Sequence, residues 1–155
     1  MERKLELFEI AGYFPHNLMW WNGKLWNGID WGIISSYLAD GFEYKWYPIL
    51  RPISDLYKTI THNGKEIVPI VELSKIWEIE DAWYFGLNKI ADIDNGSLEF
   101  ENGAFMILKR GFEFTPTPNQ IPLFDYLNEL KIDYRGLIEA GLAIDCNTLE
   151  DNPYK

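Results

Sequence analysis

Residues 48–76 carry the pattern that decides the fold: Pro-Ile-Leu-Arg-Pro-Ile-Ser-Asp-Leu-Tyr-Lys-Thr-Ile-Thr-His-Asn-Gly-Lys-Glu-Ile-Val-Pro-Ile-Val-Glu-Leu-Ser-Lys-Ile. Pro52 has a fixed φ and no N–H, so it suits the first turn of a helix that runs to Ile60. Asn63-Gly64 tolerates positive φ and turns the chain back. A short strand over 66–70 follows, and Pro69 can also open the next helix. The stretch therefore predicts helix, tight turn, strand and helix.

The clearest β signal lies further along the chain. Asp94-Asn95-Gly96-Ser97 and Glu101-Asn102-Gly103-Ala104 are two-residue turn signals that flank a five-residue strand. Pairing outward from the turns sets Ile93 opposite Leu98 and Phe100 opposite Phe105. One face of the resulting three-stranded meander is then wholly apolar, and it comprises Ala91, Ile93, Leu98, Phe100, Phe105 and Ile107.

The remaining segments read as short helices and strands. A helix is expected over 1–14, and Asn22-Gly23 predicts a hairpin in which Trp20 opposes Leu25. Residues 42–47 alternate like a strand, 112–118 read as a linker, and a helix starts at Pro122. Asp133 can cap a last short helix over 134–140. The prediction is an α+β single domain over 1–155, with a mostly antiparallel sheet of hairpins and a meander, and several short helices packed on one side.

Composition bounds the partners and the compartment. The chain has 155 residues, 47% of them apolar and 16% aromatic, with a net charge of −10 and a pI of about 4.6. An acidic surface disfavours nucleic-acid backbones but allows binding to a basic groove on another protein. No apolar run approaches a membrane span and no signal peptide is visible, so neither membrane binding nor export is expected. A lone cysteine, Cys146, fits a reducing compartment, and we expect a cytoplasmic protein.

Two groups of residues are candidate partner-binding surfaces. The polar face of the meander sets carboxylates across from one another, which destabilises a sheet unless a cation or a basic partner compensates. This acidic face comprises Asp92, Asp94, Glu99 and Glu101. The aromatic candidates are Trp20, Trp21, Trp26 and Trp31. Trp20 and Trp21 point to opposite faces if the segment is a strand, so at least one of them is expected to be exposed. For the acidic face, the alternative is that the carboxylates simply point into water. For the tryptophans, the alternative is that they form part of the core.

Motifs for catalysis are missing from the sequence. His16 and His62 have no Cys, Asp or Glu at metal-ligand spacing, and each is interpreted as a surface histidine. Cys146 sits among acidic residues, which disfavours a nucleophilic thiolate. No serine lies in a nucleophile elbow and no glycine pattern matches a phosphate-binding loop. We expect no catalytic residue, no metal and no cofactor, and an enzyme is the less favoured class.

Three segments carry a resemblance that covers most of the chain. They are Leu5–Leu18, Pro48–Leu73 with Leu-Arg-Pro-Ile-Ser-Asp-Leu, and Ile121–Leu149 with Gly-Leu-Ile-Glu-Ala-Gly-Leu-Ala-Ile-Asp-Cys-Asn-Thr-Leu. Together they resemble the small uncharacterised proteins of Bacteroidetes phages and prophages. The chain departs from that group over 77–114, in the Trp-rich stretch and at Cys146, where an apolar residue is usual. The resemblance brings no established activity and implies a setting, a phage accessory protein in a bacterial cytoplasm.

Four functions remain open, and the fourth and least favoured is a structural role in the virion. The first is a binding protein that inhibits or redirects a host protein, for example an anti-CRISPR-like inhibitor whose carboxylates occupy a basic groove. The second is a binder of a small ligand such as a nucleotide, whose basic pocket would draw on Arg51, Lys58, Lys109, Arg110 or Arg135. The third is a metal-assisted enzyme that uses the acidic face.

Overall fold

The computed structural model describes residues 3–23, 26–27, 46–76, 83–84, 91–93, 96–109, 115–116 and 120–155. Its helices are short: α1 (Leu7–Ile10), α2 (Pro69–Ile76) and α3 (Ile121–Leu130), with 3-10 helices at Ala11–His16, Ile53–Tyr57 and Cys146–Thr148. The strands, mostly antiparallel, form small sheets, so the predicted α+β class is confirmed. None of the helices in these described ranges has both the length and the apolar character to cross a bilayer.

Contacts divide the chain into two compact units, Met1–Ile53 with Leu127–Tyr154, and Ser54–Tyr126 with Lys155. A single domain over 1–155 stays a prediction. The first unit holds a sheet in the order β11-β3-β1-β2. Its strands are β1 (Trp20–Trp21), β2 (Trp26–Asn27), β3 (Tyr47–Leu50) and β11 (Ile144–Asp145). β3 runs antiparallel to β1 and parallel to β11.

Buried residues from distant parts of the sequence form the core of the first unit. They are Ile10, Tyr13, Leu18, Trp20, Leu50, Leu137 and Ala143. Each large apolar side chain moved out of water contributes about 1.5–3 kcal/mol, so this cluster is the main stabilising element of the unit. The Tyr13 hydroxyl enters the cluster because it donates to the Ile132 carbonyl at 2.9 Å.

The second unit contains a five-stranded antiparallel sheet and a separate hairpin. The sheet runs in the order β10-β9-β8-β7-β6. Its strands are β6 (Trp83–Tyr84), β7 (Ala91–Ile93), β8 (Gly96–Glu101), β9 (Ala104–Lys109) and β10 (Thr115–Pro116). The hairpin pairs β4 (Ile60–His62) with β5 (Lys65–Ile67). Phe105 packs against Phe100 and Phe124, with ring centroids 4.9 and 5.5 Å away.

The decisive stretch is partly as predicted. Asn63 (φ +50°) and Gly64 (φ +74°) form the expected turn, and Pro69 opens α2. The predicted helix up to Ile60 is wrong, because a 3-10 helix ends at Tyr57 and Ile60 belongs to β4. The β-branched run Thr59-Ile60-Thr61 favours extended backbone, and its strand pairs across the Asn63-Gly64 turn.

Two of the predicted hairpin registers need correction. Trp21 pairs with Trp26 and Trp20 with Asn27. The connection between the paired residues is therefore two residues longer than the predicted Trp20–Leu25 pairing implies, and both extra residues come from the second strand. Ile93 pairs with Gly96, not Leu98, and Leu98 faces Ala91. The Phe100–Phe105 and Leu98–Ile107 pairs are confirmed. A shift of two residues keeps each residue on its expected face because side chains alternate with period two.

The terminal segments also differ from the helices expected there. In place of one helix over 1–14, the described residues from 3 onward form the four-residue α1 and then a 3-10 helix, which includes Pro15 and runs to His16. The predicted helix over 134–140 is a series of turns, because Gly136 takes a φ of +72° that no α-helix contains. α3 starts one residue before the predicted Pro122, and it buries Leu123, Leu127 and Leu130.

The predicted linker over 112–118 includes a strand, since Thr115 pairs with Ile107 and Pro116 with Met106. The predicted strand over 42–47 lies mostly outside the described residues, and the described part begins pairing at Tyr47.

Candidate functional site

The acidic face does not have the opposed carboxylates that the sequence predicts. Asp92 pairs with Ser97 and not with Glu99, because the β7–β8 turn is shifted by two residues. Across β8–β9, Glu99 pairs with Met106 and Glu101 with Ala104. Glu101 is exposed and Glu99 is half-buried, whereas Asp94 lies outside the described residues. Across the described ranges, no group of three or more His, Cys, Asp or Glu is placed to hold a metal ion. Because Asp92 does not pair with Glu99 in this register, the repulsion between directly opposed carboxylates, which was the reason to expect a cation here, is absent from that pair.

The four tryptophans do not form one exposed surface. Trp20 is fully buried in the core, so it cannot contact a partner and leaves the predicted aromatic site. Trp21 follows on the opposite side of β1 and is half-buried, as alternation along a strand requires. Trp26 lies in β2, and Trp31 lies outside the described residues.

An exposed apolar surface that the sequence analysis missed lies on α1. Phe8 is 62% exposed and Leu7 is 40% exposed, whereas the helix buries Glu9 and Ile10. Glu9 is held inside because its carboxylate contacts the Arg3 guanidinium and accepts from the Glu6 amide at 3.0 Å. A burial face that includes a glutamate conflicts with the expected apolar periodicity, and it turns Phe8 toward solvent.

Arg135 completes this surface. Its guanidinium carbon lies 5.9 Å from the centre of the Phe8 ring and 5.1 Å from that of Tyr134. Both distances are typical of cation–π contacts. We call Leu7, Phe8, Tyr134 and Arg135 the Phe8 surface. Arginine and aromatic side chains are the residues most enriched at the energetic centres of protein interfaces.

Buried hydrogen bonds fix the loop that carries Arg135. The Asp133 carboxylate accepts from the Leu137 amide at 2.9 Å and from the Ile138 amide at 2.8 Å. The Tyr134 hydroxyl donates to Asn128 Oδ1 at 3.1 Å. Asp133 is a capping residue, as predicted, but it caps the turn after Gly136 and not a helix that starts at Tyr134. These hydrogen bonds anchor the residues on both sides of Arg135.

A second cluster, which we call the Tyr154 cluster, comprises Met19, Ile49, Arg51, Lys131 and Tyr154. Ile49 N donates to Met19 O at 2.8 Å, as in an antiparallel pair. The returning bond passes through a side chain, because Met19 N donates to Tyr154 Oη at 3.0 Å and that hydroxyl donates to Ile49 O at 2.7 Å. Burial raises the pKa of Tyr154 far above its usual value, so the hydroxyl keeps its proton.

Two cations face the Tyr154 ring. Arg51 donates from Nη2 to the Tyr154 carbonyl at 2.8 Å, and its Cζ lies 5.6 Å from the ring centre. Lys131 Nζ lies 5.1 Å from the same centre. Burial and, secondly, the neighbouring Arg51 charge lower the pKa of Lys131. Arg51 is only 4% exposed.

The basic residues that were predicted to line a ligand pocket are not placed together as one exposed group among the described residues. Arg51 is buried, and Lys58 Nζ lies 3.8 Å from Asp55 Oδ1. Arg135 belongs to the Phe8 surface, whereas the side chain of Lys109 and the whole of Arg110 lie outside what the structure describes. Cys146 is fully buried, which fits neither a nucleophile nor an exposed ligand.

No protein-family profile, curated protein or solved structure matches this chain. The function is therefore inferred from the residues and their geometry.

Proposed function

We propose that this protein is a phage or prophage accessory protein that binds a host protein and inhibits or redirects it. An anti-CRISPR-like inhibitor of a bacterial defence system, acting in the host cytoplasm, is the concrete form of this proposal. The resemblance to small phage proteins supports the setting, and the net charge of −10 supports a partner with a basic groove.

The observation that carries the proposal is the exposed Phe8 ring beside Arg135. The Phe8 ring is 62% exposed to water in the free protein. A partner that covers this ring would gain the free energy of burying its apolar surface. The buried Asp133 carboxylate holds the adjoining loop through two hydrogen bonds, so little conformational freedom of that loop is lost on binding. Glu99 and the exposed Glu101 supply negative charge that would steer a basic partner.

An affinity capture with matched variants tests this function. Tagged wild-type protein, Phe8→Ala and Ile121→Ala are incubated with Bacteroidetes host lysate, and captured proteins are quantified by mass spectrometry. Ile121 is 71% exposed, so its variant controls for general surface hydrophobicity. We expect one host protein to bind the wild type and Ile121→Ala, and to bind Phe8→Ala about 30-fold more weakly, as loss of a hot-spot residue implies.

A phage-defence assay tests the acidic part of the proposal. Joint neutralisation of Asp92, Asp94, Glu99 and Glu101 to Asn or Gln is expected to abolish inhibition of the host system, because the basic groove would lose its counter-charge. Unchanged inhibition by this variant and by Phe8→Ala would contradict the proposal.

A further inference from the structure

Lys131 occupies a backbone position that disfavours lysine. Lys131 N donates to Asn128 O at 3.0 Å and Ile132 N donates to Leu127 O at 2.9 Å, which is the hydrogen-bond pattern that closes a helix with a left-handed residue. Lys131 has a φ of +57°. The other non-glycine residues with positive φ in the described ranges are Asn17, Asn63 and Asn102, and asparagine tolerates that conformation. A strained lysine at this position points to a role for its side chain.

The surroundings of the Lys131 amine differ from those of two other lysines. Lys75 Nζ donates to Glu72 Oε1 at 2.7 Å, and Lys58 lies 3.8 Å from Asp55. Within the described part of the chain, no carboxylate lies within 4.0 Å of Lys131 Nζ, which instead faces the Tyr154 ring and shares it with Arg51. An aromatic face attracts an ammonium more weakly than a carboxylate does.

We propose that Lys131 is an acylation site of this protein, modified at Nζ by acyl phosphates such as acetyl phosphate. The neutral amine attacks the carbonyl carbon of the acyl phosphate and forms an amide bond. The bond between that carbon and the phosphate oxygen breaks, and inorganic phosphate leaves with the electron pair. The amine gives up one proton to water, and no oxidant or reductant is needed.

The charges around the amine favour this step. Lysine is nucleophilic only as the neutral amine, and burial next to another cation favours that form. Arg51 disfavours the protonated amine, whereas Glu129 acts in the opposite direction more weakly, in accordance with a lowered pKa for Lys131. The product amide is neutral, so acylation also removes the repulsion between Lys131 and Arg51.

Site-specific acetylation rates test the proposal. Native full-length protein is incubated with acetyl phosphate at about pH 8, and acetylation at Lys131, Lys75 and Lys58 is followed by mass spectrometry. We expect Lys131 to react about threefold faster or more than either paired lysine, since more of its amine is neutral. In urea-unfolded protein the three rates should converge. A Lys131 rate equal to or below that of Lys75 in the native protein would overturn the proposal, as would the same preference in urea.

Glu129→Gln separates chemistry from structure. Loss of this carboxylate leaves Arg51 as the dominant charge near Lys131, so acetylation of Lys131 should accelerate while that of Lys75 stays constant. Lys131→Arg keeps the charge facing the Tyr154 ring but removes the reactive amine, so it should keep the thermal stability and lose the label. No acceleration in Glu129→Gln would contradict the assigned electrostatics and the proposal with them.

Discussion

The β8–β9 hairpin and the Tyr154 cluster both join β-strands, but they draw on different distances along the chain. The hairpin turns on Asn102 (φ +51°) and Gly103 (φ +78°), which lie between the residues they connect. The Tyr154 cluster joins Met19 and Ile49 through a hydroxyl more than 100 residues away from either. Local chemistry specifies the first, and only the folded chain assembles the second. Variants in each region test whether the long-range cluster contributes more to the free energy of unfolding than the local hairpin does.

Replacing Tyr154 should have the largest effect. Tyr154→Ala removes a half-buried ring and the hydroxyl that bonds both Met19 and Ile49, and we expect a loss of about 4 kcal/mol in the free energy of unfolding. Tyr154→Phe keeps the ring and leaves Met19 N and Ile49 O without their shared partner, at about 2 kcal/mol. Urea unfolding followed by tryptophan fluorescence measures both. Tyr134→Phe, which removes a hydroxyl that donates to the Asn128 side chain, is the control at less than about 1 kcal/mol. Equal losses for Tyr154→Phe and Tyr134→Phe would show that the relay is not stabilising.

Asp133→Ala should have the next largest effect, and it tests a contact of intermediate range. The variant leaves the buried Leu137 amide and the half-buried Ile138 amide without a charged acceptor, and we expect a loss of about 2–3 kcal/mol. Asp133→Asn keeps one acceptor and should cost about half as much. Calorimetry gives the unfolding free energies. Hydrogen exchange should show faster exchange at the Leu137 and Ile138 amides, and unchanged protection there would refute the contact.

Gly103→Ala tests the local hairpin and should cost about 1 kcal/mol, because an alanine Cβ disfavours positive φ. Apart from its chain neighbours, no described residue has an atom within 4 Å of the added Cβ, so we attribute the cost to backbone conformation. Asn102→Gly is the matched control and should change stability by a few tenths of a kcal/mol. Thermal unfolding measures both variants. A destabilisation by Gly103→Ala as large as that by Tyr154→Ala would remove the contrast between the two regions.

Alkaline pH should give the smallest effect. Burial raises the pKa of Tyr154 and of Tyr13, so the folded chain keeps both protons where the unfolded chain loses them, near pH 10. The unfolded state then binds fewer protons, and stability falls as pH rises. Near pH 10.5 each tyrosine contributes at most about 1 kcal/mol to this fall. Tyr154→Phe should show a shallower decline in Tm between about pH 9 and pH 11, measured against its own value at pH 8. Lys131 titrates in both proteins, so its contribution largely cancels. Parallel profiles would contradict a protonated Tyr154.

The sequence predicts elements whose determinants are adjacent in the chain. The Asn63-Gly64 and Asn102-Gly103 turns, the Pro69 helix start and the apolar face of α3 all follow from residue types at fixed spacing. The β7–β8 turn is an exception. The sequence predicts Asn95 and Gly96 as the two turn residues, but Gly96 is already in β8 and pairs with Ile93. A turn signal locates a reversal of the chain to within two residues but does not choose the register.

The candidate site is harder to predict, for a physical reason. Alternation predicts that Trp20 and Trp21 differ in burial, but which one is buried depends on Leu50 and Leu137, far along the chain. Phe8 is exposed because Glu9 is buried, and a buried glutamate contradicts the hydrophobic pattern that sequence reasoning uses. The interleaved Phe8, Tyr134 and Arg135 meet only in the folded state. The one sequence feature that could have indicated a buried Glu9 is Arg3, whose guanidinium pairs with the Glu9 carboxylate.

The discontinuous first unit also constrains how the chain folds during synthesis. Residues up to Ile53 emerge from the ribosome before Ser54–Tyr126, but they share their core with residues after Leu127. At about 5–20 residues per second, translation of the intervening segment takes roughly 4–15 s. During that interval Trp20 and Leu50 have no Leu137 or Ala143 to pack against, and Met19 has no Tyr154 hydroxyl. The nascent chain therefore exposes apolar surface for seconds, and we expect trigger-factor-like holding chaperones to raise its yield.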